Sequence, residues 1–354
     1  MNAKFIKIAG QKIGMGYKPY IIAEISGNHS GDINTARKLI SVAKEAGADA
    51  VKLQAYSADS LTIKTDNPDF TLKSGTWAGQ NIYDLYVKAA TPIGWIPKLI
   101  DYGNEIDITV FSSVFDPIDV KKLVDSGMPA FKIASNELTD WPLLEAVIKT
   151  QLPIIMSTGT ATKLDLTQTI KFITDLGAID RLIILHCVSA YPASVKDSNL
   201  ITMRDISESQ NVITGLSDHS LGTTAAIAAT ALGAAAIEKH ITLDRNDGGP
   251  DSSFSLEPQE LFQLCNEVRS AWESLGGIKY GGESDLTTKG IFTRQLWTIK
   301  DILQGEEFTW ENIRSMRAPS HSGGVSPTHY RKIIGQKSKQ NIKKHTPIKK
   351  KNFE

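Results

Sequence analysis

Residues 212–242 read VITGLSDHSLGTTAAIAATALGAAAIEKHIT, and this stretch decides the fold. It opens on a short apolar strand, 212–219, that ends in polar residues. An alanine-rich helical segment follows, and a second such strand, 235–242, closes the stretch. Strands of nearly continuous apolar character are typical of a parallel sheet that is buried on both faces. The stretch therefore predicts a strand–helix–strand unit of a parallel α/β protein.

The same unit recurs along the chain. The other strand candidates are PYIIAEI (19–25), AVKLQAY (50–56), ITVFSSVF (108–115), AFKIAS (130–135), PIIMSTG (153–159) and LIILHCV (182–188). Eight strand–helix units within about 275 residues match the repeat and length of a closed (β/α)8 TIM barrel. An open doubly wound sheet is the alternative, but no glycine-rich dinucleotide loop follows the first strand. The sequence thus predicts an α/β fold built on a barrel.

The two ends of the chain lie outside this repeat. Residues 5–14, FIKIAGQKIG, alternate apolar and polar positions, which predicts a short hairpin covering the bottom of the barrel. We expect a barrel domain with this hairpin over 1–277, a polar linker over 278–292, and a small β-rich domain over 293–354. Inside that last domain, 301–313 resembles 341–353, which predicts an internal pseudo-two-fold repeat.

Composition and charge narrow the class of protein. The formal net charge of the 354 residues is zero, so nothing global attracts the chain to nucleic acid or to an anionic membrane. Two cysteines cannot build a disulfide framework, and the first residues carry no export signal, so we expect a cytoplasmic protein. The segment 331–351 is basic and lacks acids, which leaves a polyanion-binding module as an alternative for the second domain.

Polar residues at the carboxyl ends of the barrel strands predict the active site, since these ends surround the mouth of such a barrel. Lys52 and Lys132 stand out because lysine is depleted in strands and is rarely buried without a partner. With serines on neighbouring strand ends they would form a cationic, hydroxyl-rich floor for a phosphate or carboxylate. The serines are Ser113, Ser135, Ser157 and Ser217. An ion pair with a neighbouring glutamate and a Schiff-base lysine are the alternative roles.

Two histidines predict a metal site. His219 and His240 end the seventh and eighth strands, so they can converge on one divalent cation and leave positions open for substrate and water. One of them could instead be a hydrogen-bonded core histidine. His29 and His186 are weaker candidates. Two long connections, 57–91 and 244–258, are expected to cover the mouth, and the second carries Asp251.

The ordered motifs AEISGNHSG, VKLQAY, FKIAS, STGTAT, HCVSAYP, GLSDHS and IEKHITLDR together resemble the sialic acid synthase family. Residues from about 294 to the end resemble its antifreeze-like (SAF) domain. The segments WAGQNIYDLYVKAATP and DGGPDSSFSLEP look most like the pseudaminic acid synthases of that family. The resemblance implies a condensation of phosphoenolpyruvate with the open-chain aldehyde of an acetamido sugar, releasing phosphate by C–O cleavage.

The resemblance also implies roles for residues at matching positions. Phosphoenolpyruvate would be held by Lys52, Ser113, Lys132, Ser135, Ser157, Ser189 and Ser217. Catalytic roles would fall to Glu24, as the base for the attacking water, to Lys52, and to Glu137, for a proton or the sugar hydroxyls. The sugar would contact Gln54, Tyr191, Asp251 and Arg317, and Mn²⁺ or Mg²⁺ would bind His219 and His240.

Two positions depart from the family pattern. Ser189 stands where neuraminate synthases tend to carry asparagine. Residues 318–321, Ala-Pro-Ser-His, replace a more usual Arg-Pro-Gly run after Arg317. Because the second domain of the family reaches over a partner's barrel, a domain-swapped homodimer is implied. The enzyme would bind small-molecule substrates, phosphoenolpyruvate and an acetamido sugar, and would bind neither nucleic acid nor a membrane.

Overall fold

The computed structural model describes residues 4–278 and 293–354. The chain divides into two compact units, residues 1–276 and 277–354. Most of the segment that we predicted as a linker, residues 279–292, lies outside the described residues.

The first unit is a closed barrel of eight parallel strands. They follow one another around the barrel in chain order, and the eighth pairs with the first. The strands are β3 (Tyr20–Glu24), β4 (Ala50–Ala55), β5 (Thr109–Val114), β6 (Phe131–Ile133), β7 (Ile154–Ser157), β8 (Leu182–Cys187), β9 (Ile213–Asp218) and β10 (Ala236–His240). The predicted barrel is confirmed, and the open doubly wound sheet is excluded.

Helices surround the barrel. They are α1 (Ile33–Ala46), α2 (Ala58–Leu61), α3 (Ile82–Ala89), α4 (Ile96–Glu105), α5 (Pro117–Asp125), α6 (Trp141–Lys149), α7 (Lys163–Asp175), α8 (Ile201–Gln210), α9 (Thr224–Ala231) and α10 (Pro258–Leu275). The first shows how local sequence sets the boundaries. The side chain of Asp32 accepts hydrogen bonds from the free N–H groups of Asn34 and Thr35, and Gly47 ends the helix at φ 91°.

An N-terminal hairpin closes the bottom of the barrel, as predicted. Strands β1 (Phe5–Ile8) and β2 (Gln11–Gly14) pair antiparallel. Ile8 and Ile13 are fully buried in the core of the barrel unit. Gln11 donates a hydrogen bond to Asp49, which precedes β4. The hairpin therefore lies at the amino ends of the strands, away from the predicted site.

The long connection between β4 and α4 contains regular structure of its own. It contains helices α2 and α3 and a short 3₁₀ turn, Pro68–Phe70. The short helix α2 begins at Ser57, whose side chain accepts a hydrogen bond from the amide of Ser60. These elements are too short to show a clear period in the sequence.

The second unit is built on strands β11 (Thr293–Thr298) and β12 (Ile313–Ala318), with a short helix, α11 (Tyr330–Ile333). Its two halves are joined symmetrically. Ile302 and Ile342 exchange backbone hydrogen bonds of 2.8 and 2.7 Å. The amide of Gln304 donates to Asn341, and that of Lys344 donates to Asp301, at 2.7 Å each. These paired contacts connect the segments whose sequences resemble each other, as the predicted pseudo-two-fold repeat requires.

Among residues 4–278 and 293–354, none of the helices has the length and apolar character needed to cross a membrane.

Candidate active site

Strand register gathers the polar residues of the barrel into one layer. Side chains alternate between the two faces of a strand, so residues two apart, such as Glu238 and His240, share a face. In the pairing of neighbouring strands, Glu24 stands opposite both Lys52 and His240. The other pairings of this layer are Gln54 with Ser113, Ser113 with Lys132, and Ser217 with Glu238.

Two lysines and two glutamates form a buried charged cluster in this layer. Nζ of Lys52 forms an ion pair with Oε2 of Glu24 and lies 3.5 Å from Oε1 of Glu238. Nζ of Lys132 lies 3.6 Å from the same oxygen of Glu238. All four residues are at most 3% exposed. Charges so buried persist only when paired, and each member here has a partner of opposite sign.

Hydroxyl groups complete the charged cluster. Oγ of Ser217 donates to Oε1 of Glu238 at 3.1 Å, and Nζ of Lys52 donates to Oγ of Ser113 at 3.3 Å. Oγ of Ser157 is buried and has no hydrogen-bond partner among the described residues, so it can accept or donate to a ligand.

The charges shift the pKa values of the cluster in opposite directions. Burial lowers the pKa of Lys132, and Glu238 offsets this only in part. Burial acts in the same way on Lys52, but Glu238 and Glu24 hold its pKa above the ordinary value. Burial alone would raise the pKa of Glu238, but Lys132 and Lys52 hold it below the usual range. Both lysines are therefore screened by Glu238 when no anion is bound.

Glu24 has a pKa near neutral pH. Burial raises its pKa to about 7, against the lowering effect of Lys52. Its Oε1 accepts a hydrogen bond of 2.7 Å from the amide of Ser26, which fixes the carboxylate at the end of β3. A carboxylate of this kind can act as a general base near neutral pH.

The serines after β6 and β8 meet at Gly159. The amide of Gly159 donates to Oγ of Ser135 at 3.0 Å. A Cβ atom on Gly159 would collide with the hydroxyl oxygens of both Ser135 and Ser189, so the glycine permits this close approach. Ser189 itself is exposed.

His219 and His240 stand side by side, with ring centroids 5.3 Å apart. Nδ1 of His219 donates to the carbonyl of Val188 at 2.9 Å. In this tautomer Nε2 carries the lone pair that can bind a cation. Nδ1 of His240 is buried with no hydrogen-bond partner in the described parts of the chain. Burial holds the pKa of His240 well below its ordinary value, so its ring is neutral. Two such nitrogens fit a divalent cation.

The described residues contain no group of three or more His, Cys, Asp or Glu side chains arranged around one point as metal ligands. Asp251 lies beside the histidine pair, with Oδ2 at 3.9 Å from Nδ1 of His240. The same carboxylate accepts a hydrogen bond from Oγ of Ser26. Burial raises its pKa. The connection that follows β10 thus turns back over the mouth of the barrel.

The residues predicted to contact the sugar belong to the barrel unit, except for Arg317, which belongs to the second unit. Tyr191 lies beside the metal candidates, with its ring centroid 4.3 Å from that of His219, and Gln54 projects from the charged layer. Glu137 lies just after β6, and burial raises its pKa to about 7. Arg317 belongs to the second unit, where it is exposed on β12.

Two further histidines have structural roles. Nε2 of His29 donates to Thr91 at 3.0 Å, and its Nδ1 accepts from the amide of Gly31. Nε2 of His186 donates to the carbonyl of Ser198 at 2.7 Å. Both nitrogens of His29 and Nε2 of His186 are thus bonded to neighbouring protein groups.

Three residues of the site were not predicted from the sequence. Glu238 was seen only as part of the strand end, although its two-residue spacing from His240 already placed it on the inner face. Phe254 packs against His240 with centroids 5.1 Å apart, and Trp77 packs against Tyr191 at 5.3 Å. Both aromatic residues lie in connections that were expected to cover the mouth, 57–91 and 244–258, but the sequence pattern did not single out their side chains.

Comparison with known proteins agrees with this geometry. Residues 39–280 match the model of the NeuB family, and residues 293–354 match that of the SAF domain. The chain belongs to the NeuB family. This confirms the resemblance drawn from the sequence motifs, including the small β-rich domain at the end of the chain.

Several relatives of this NeuB-family chain carry the names of synthases. A pseudaminic acid synthase of Campylobacter jejuni is 39% identical over 95% of this chain and 97% of its own. An N,N'-diacetyllegionaminic acid synthase of the same species is 35% identical over 94% of this chain and 99% of its own. The crystal structure of N-acetylneuraminic acid synthetase from Leptospira borgpetersenii covers 81% of this chain and 95% of its own, with 30% identity and a TM-score of 0.72. The chain is therefore an enzyme.

Proposed function

We propose that this NeuB-family enzyme is a pseudaminic acid synthase, a transferase. It condenses phosphoenolpyruvate with 2,4-diacetamido-2,4,6-trideoxy-L-altrose and yields pseudaminic acid and phosphate. The observation that carries the proposal is the buried Lys52–Lys132 cluster next to the histidine pair at the carboxyl end of the barrel. The names of the relatives support the choice of sugar.

Phosphoenolpyruvate would bind over the charged cluster. Its carboxylate and phosphate carry two to three negative charges, which match the two buried lysines. The surrounding hydroxyl groups would donate to its oxygens, and those groups are Ser113, Ser135, Ser157, Ser189 and Ser217. Lys52 also holds Glu24 in place through their ion pair. Lys52 would therefore have a catalytic role as well as a binding role.

The reaction needs one carbon–carbon bond, one water and one leaving phosphate. C3 of phosphoenolpyruvate bonds to the aldehyde carbon of the sugar, whose oxygen takes up a proton and becomes a hydroxyl. Glu24 accepts a proton from the water that adds to C2. The bond between C2 and the phosphate oxygen then breaks, and a second proton is lost as the keto group forms. Glu137, with its raised pKa, supplies the proton or holds a sugar hydroxyl.

His219 and His240 would hold Mn²⁺ or Mg²⁺ through the free lone pairs described above. When bound, the cation supplies Lewis-acid polarisation of the aldehyde oxygen. The hydrogen bond to Val188 orients the ring of His219, and burial fixes the ring of His240.

The sugar would be bound by groups from both units. Gln54, Tyr191 and Asp251 lie on the barrel side, and Arg317 would come from the second domain of a partner chain in a domain-swapped homodimer. The support for this assembly is the match to the SAF domain together with the exposed position of Arg317. A cytoplasmic location is part of the same proposal.

Phosphate release with two sugars tests the function. The protein is incubated with phosphoenolpyruvate and Mn²⁺ and either the diacetamido altrose or N-acetylmannosamine. We expect release with the altrose derivative and little with N-acetylmannosamine. Release with N-acetylmannosamine alone would identify a neuraminate synthase, and a preference for the legionaminate precursor, tested in the same assay, would identify that activity.

One observation favours a second candidate. The lowered pKa of Lys132 is a property of lysines that form Schiff bases, as in aldolases. Borohydride treatment in the presence of pyruvate distinguishes the two chemistries. A covalent adduct on Lys132 or Lys52 supports the aldolase, and an unmodified protein supports the synthase.

A further inference from the structure

Three aromatic side chains from three different connections pack against one another at the mouth of the barrel. Trp77 comes from the β4–α4 connection, Tyr191 follows β8, and Phe254 follows β10. The ring centroids of Trp77 and Tyr191 are 5.3 Å apart, and those of Tyr191 and Phe254 are also 5.3 Å apart. We call these three residues the aromatic wall.

One end of the aromatic wall borders the histidine pair. The ring of Phe254 lies 5.1 Å from that of His240, and the ring of Tyr191 lies 4.3 Å from that of His219. Phe254 is 1% exposed, so it is a fixed part of the site. The aldehyde end of an acceptor sugar bound at the histidines would therefore lie beside Phe254 and Tyr191.

The other end of the aromatic wall is Trp77, beyond Tyr191. An open-chain six-carbon sugar spans roughly 6 Å from C1 to C6, from C–C bonds of about 1.5 Å. A sugar that has its aldehyde at His219 and runs along the ring of Tyr191 would reach Trp77 with its C6 end. Ring carbons favour a methyl group at that end over a hydroxyl, because a hydroxyl would lose its water without gaining a partner.

Trp77 also ties the covering connections together. Its Nε1 donates to the carbonyl of Pro250 at 2.8 Å, next to Asp251. The hydroxyl of the preceding Thr76 donates to the carbonyl of Tyr191. The segment 76–77 therefore fixes both the Tyr191 loop and the Asp251 loop. Displacement of Trp77 would move both predicted sugar contacts.

From this geometry we propose that the aromatic wall selects acceptor sugars with a methyl group at C6, and that Trp77 is a positioning and specificity residue. This inference rests on the proposed function and deepens it. A hydrophobic pocket distinguishes two substrates that differ by one hydroxyl or methyl group by roughly 10- to 100-fold in kcat/KM. The wild-type enzyme should therefore prefer a 6-deoxy acceptor by that factor in kcat/KM.

The test uses two acceptors that differ only at C6. They are 2,4-diacetamido-2,4,6-trideoxy-L-altrose and its 6-hydroxy analogue, 2,4-diacetamido-2,4-dideoxy-L-altrose, each assayed by phosphate release from phosphoenolpyruvate. In Trp77→Ala the kcat/KM ratio of the two sugars should fall about tenfold, while the KM for phosphoenolpyruvate stays unchanged. Trp77→Phe keeps a ring but loses the bond to Pro250. It should keep most of the ratio and raise the KM for both sugars.

Trp141→Ala is the matched control. Trp141 also packs on an aromatic ring, that of Phe172 at 4.6 Å, and its Nε1 donates to Thr169, but it lies on α6 in the outer layer. This variant should leave the sugar ratio unchanged.

The outcomes separate the inference from the proposed function. A wild-type ratio near one, or a ratio that Trp77→Ala leaves unchanged, overturns the role of the aromatic wall while pseudaminic acid synthesis stands. A rise in the KM for phosphoenolpyruvate equal to that for the sugar would mean that Trp77 has only a general structural role. Absence of phosphate release with either sugar in the wild type overturns the proposed function and this inference with it.

Discussion

Oε1 of Glu238 lies 3.6 Å from Nζ of Lys132. The same oxygen is 3.5 Å from Nζ of Lys52, so one carboxylate serves both buried lysines. A buried cation without a partner is costly, by several kcal/mol. Glu238 thus keeps the floor of the site charged before the substrate arrives. Its own charge also opposes an incoming anion, so it should tune the affinity for phosphoenolpyruvate as well as the stability of the free protein.

Glu238→Gln tests this double effect. Gln keeps the size of the side chain and can still accept the hydrogen bond from Ser217. We expect the free protein to lose about 3 kcal/mol of stability, since two buried lysines lose their shared counter-charge. Saturating phosphoenolpyruvate should then raise the Tm of the variant more than that of the wild type, as measured by calorimetry.

The control for Glu238→Gln is Glu260→Gln. Glu260 lies on the outer helix α10 and forms an ion pair with Arg245. The response of this control variant to phosphoenolpyruvate should equal that of the wild type. If phosphoenolpyruvate raises the Tm of Glu238→Gln no more than that of the wild type, Glu238 does not compete with the anion.

The metal prediction concerns the histidine pair. His219→Ala or His240→Ala should abolish turnover and Mn²⁺ binding, while the circular dichroism spectrum stays near that of the wild type. Each variant removes one of two imidazoles whose nitrogen is free to bind a cation. Bound Mn²⁺ is measured by electron paramagnetic resonance, and turnover by phosphate release.

His186→Gln provides a comparison, because that ring bonds to Ser198. It should bind Mn²⁺ as the wild type does. Mn²⁺ binding or turnover retained in His219→Ala or His240→Ala would remove that residue from the metal site.

Much of the barrel could be predicted from sequence because each strand is buried on both faces. The eight apolar runs, such as 182–188 and 212–219, are short and are bounded by helical segments, which leaves one simple architecture. The inward direction of Lys52 and Lys132 followed from their positions in these runs. The repeat in the second unit was visible because it preserves the residues that form its symmetric hydrogen bonds.

What sequence could not provide are contacts between distant connections. Thr76 and Tyr191 are 115 positions apart and meet only because two loops dock at the mouth of the barrel. Likewise, the link from Glu238 to both lysines depends on how strands at three places around the barrel tilt toward its axis. Periodicity describes one element at a time. It can place Glu238 on the inner face of its strand, but it cannot predict the contacts of Glu238 with both lysines or those within the aromatic wall.

Glu137 predicts a pH dependence of stability. Burial raises its pKa from 4.5 to about 7 in the folded protein. The protonated form is therefore favoured by folding, and the stability it brings is complete below pH 4.5 and is lost as the pH rises through 7. In Glu137→Gln this loss is absent. The variant should be more stable than the wild type at pH 8, by at most about 3 kcal/mol, and equally stable at pH 4.5.

Thermal unfolding at several pH values checks the Glu137 prediction through the difference in Tm between variant and wild type. Glu145→Gln, an exposed carboxylate on α6, serves as the control and should show no such growing difference. A constant difference for Glu137→Gln from pH 5 to 8 would mean that Glu137 is ionised throughout.

Arg317 predicts complementation between subunits. We consider two chains, one with Lys132→Met and one with Arg317→Ala, co-expressed with different tags and purified as the mixed dimer. If Arg317 acts on the partner's barrel, the intact barrel of the Arg317→Ala chain receives Arg317 from the Lys132→Met chain. One of the two sites is then complete, and the mixed dimer should show about half of the wild-type rate of phosphate release. If Arg317 acts within its own chain, no site is complete, and the mixed dimer should be as inactive as either parent. The two single-variant dimers set the baseline, and the rate of the mixed dimer against it decides whether the active site is shared between subunits.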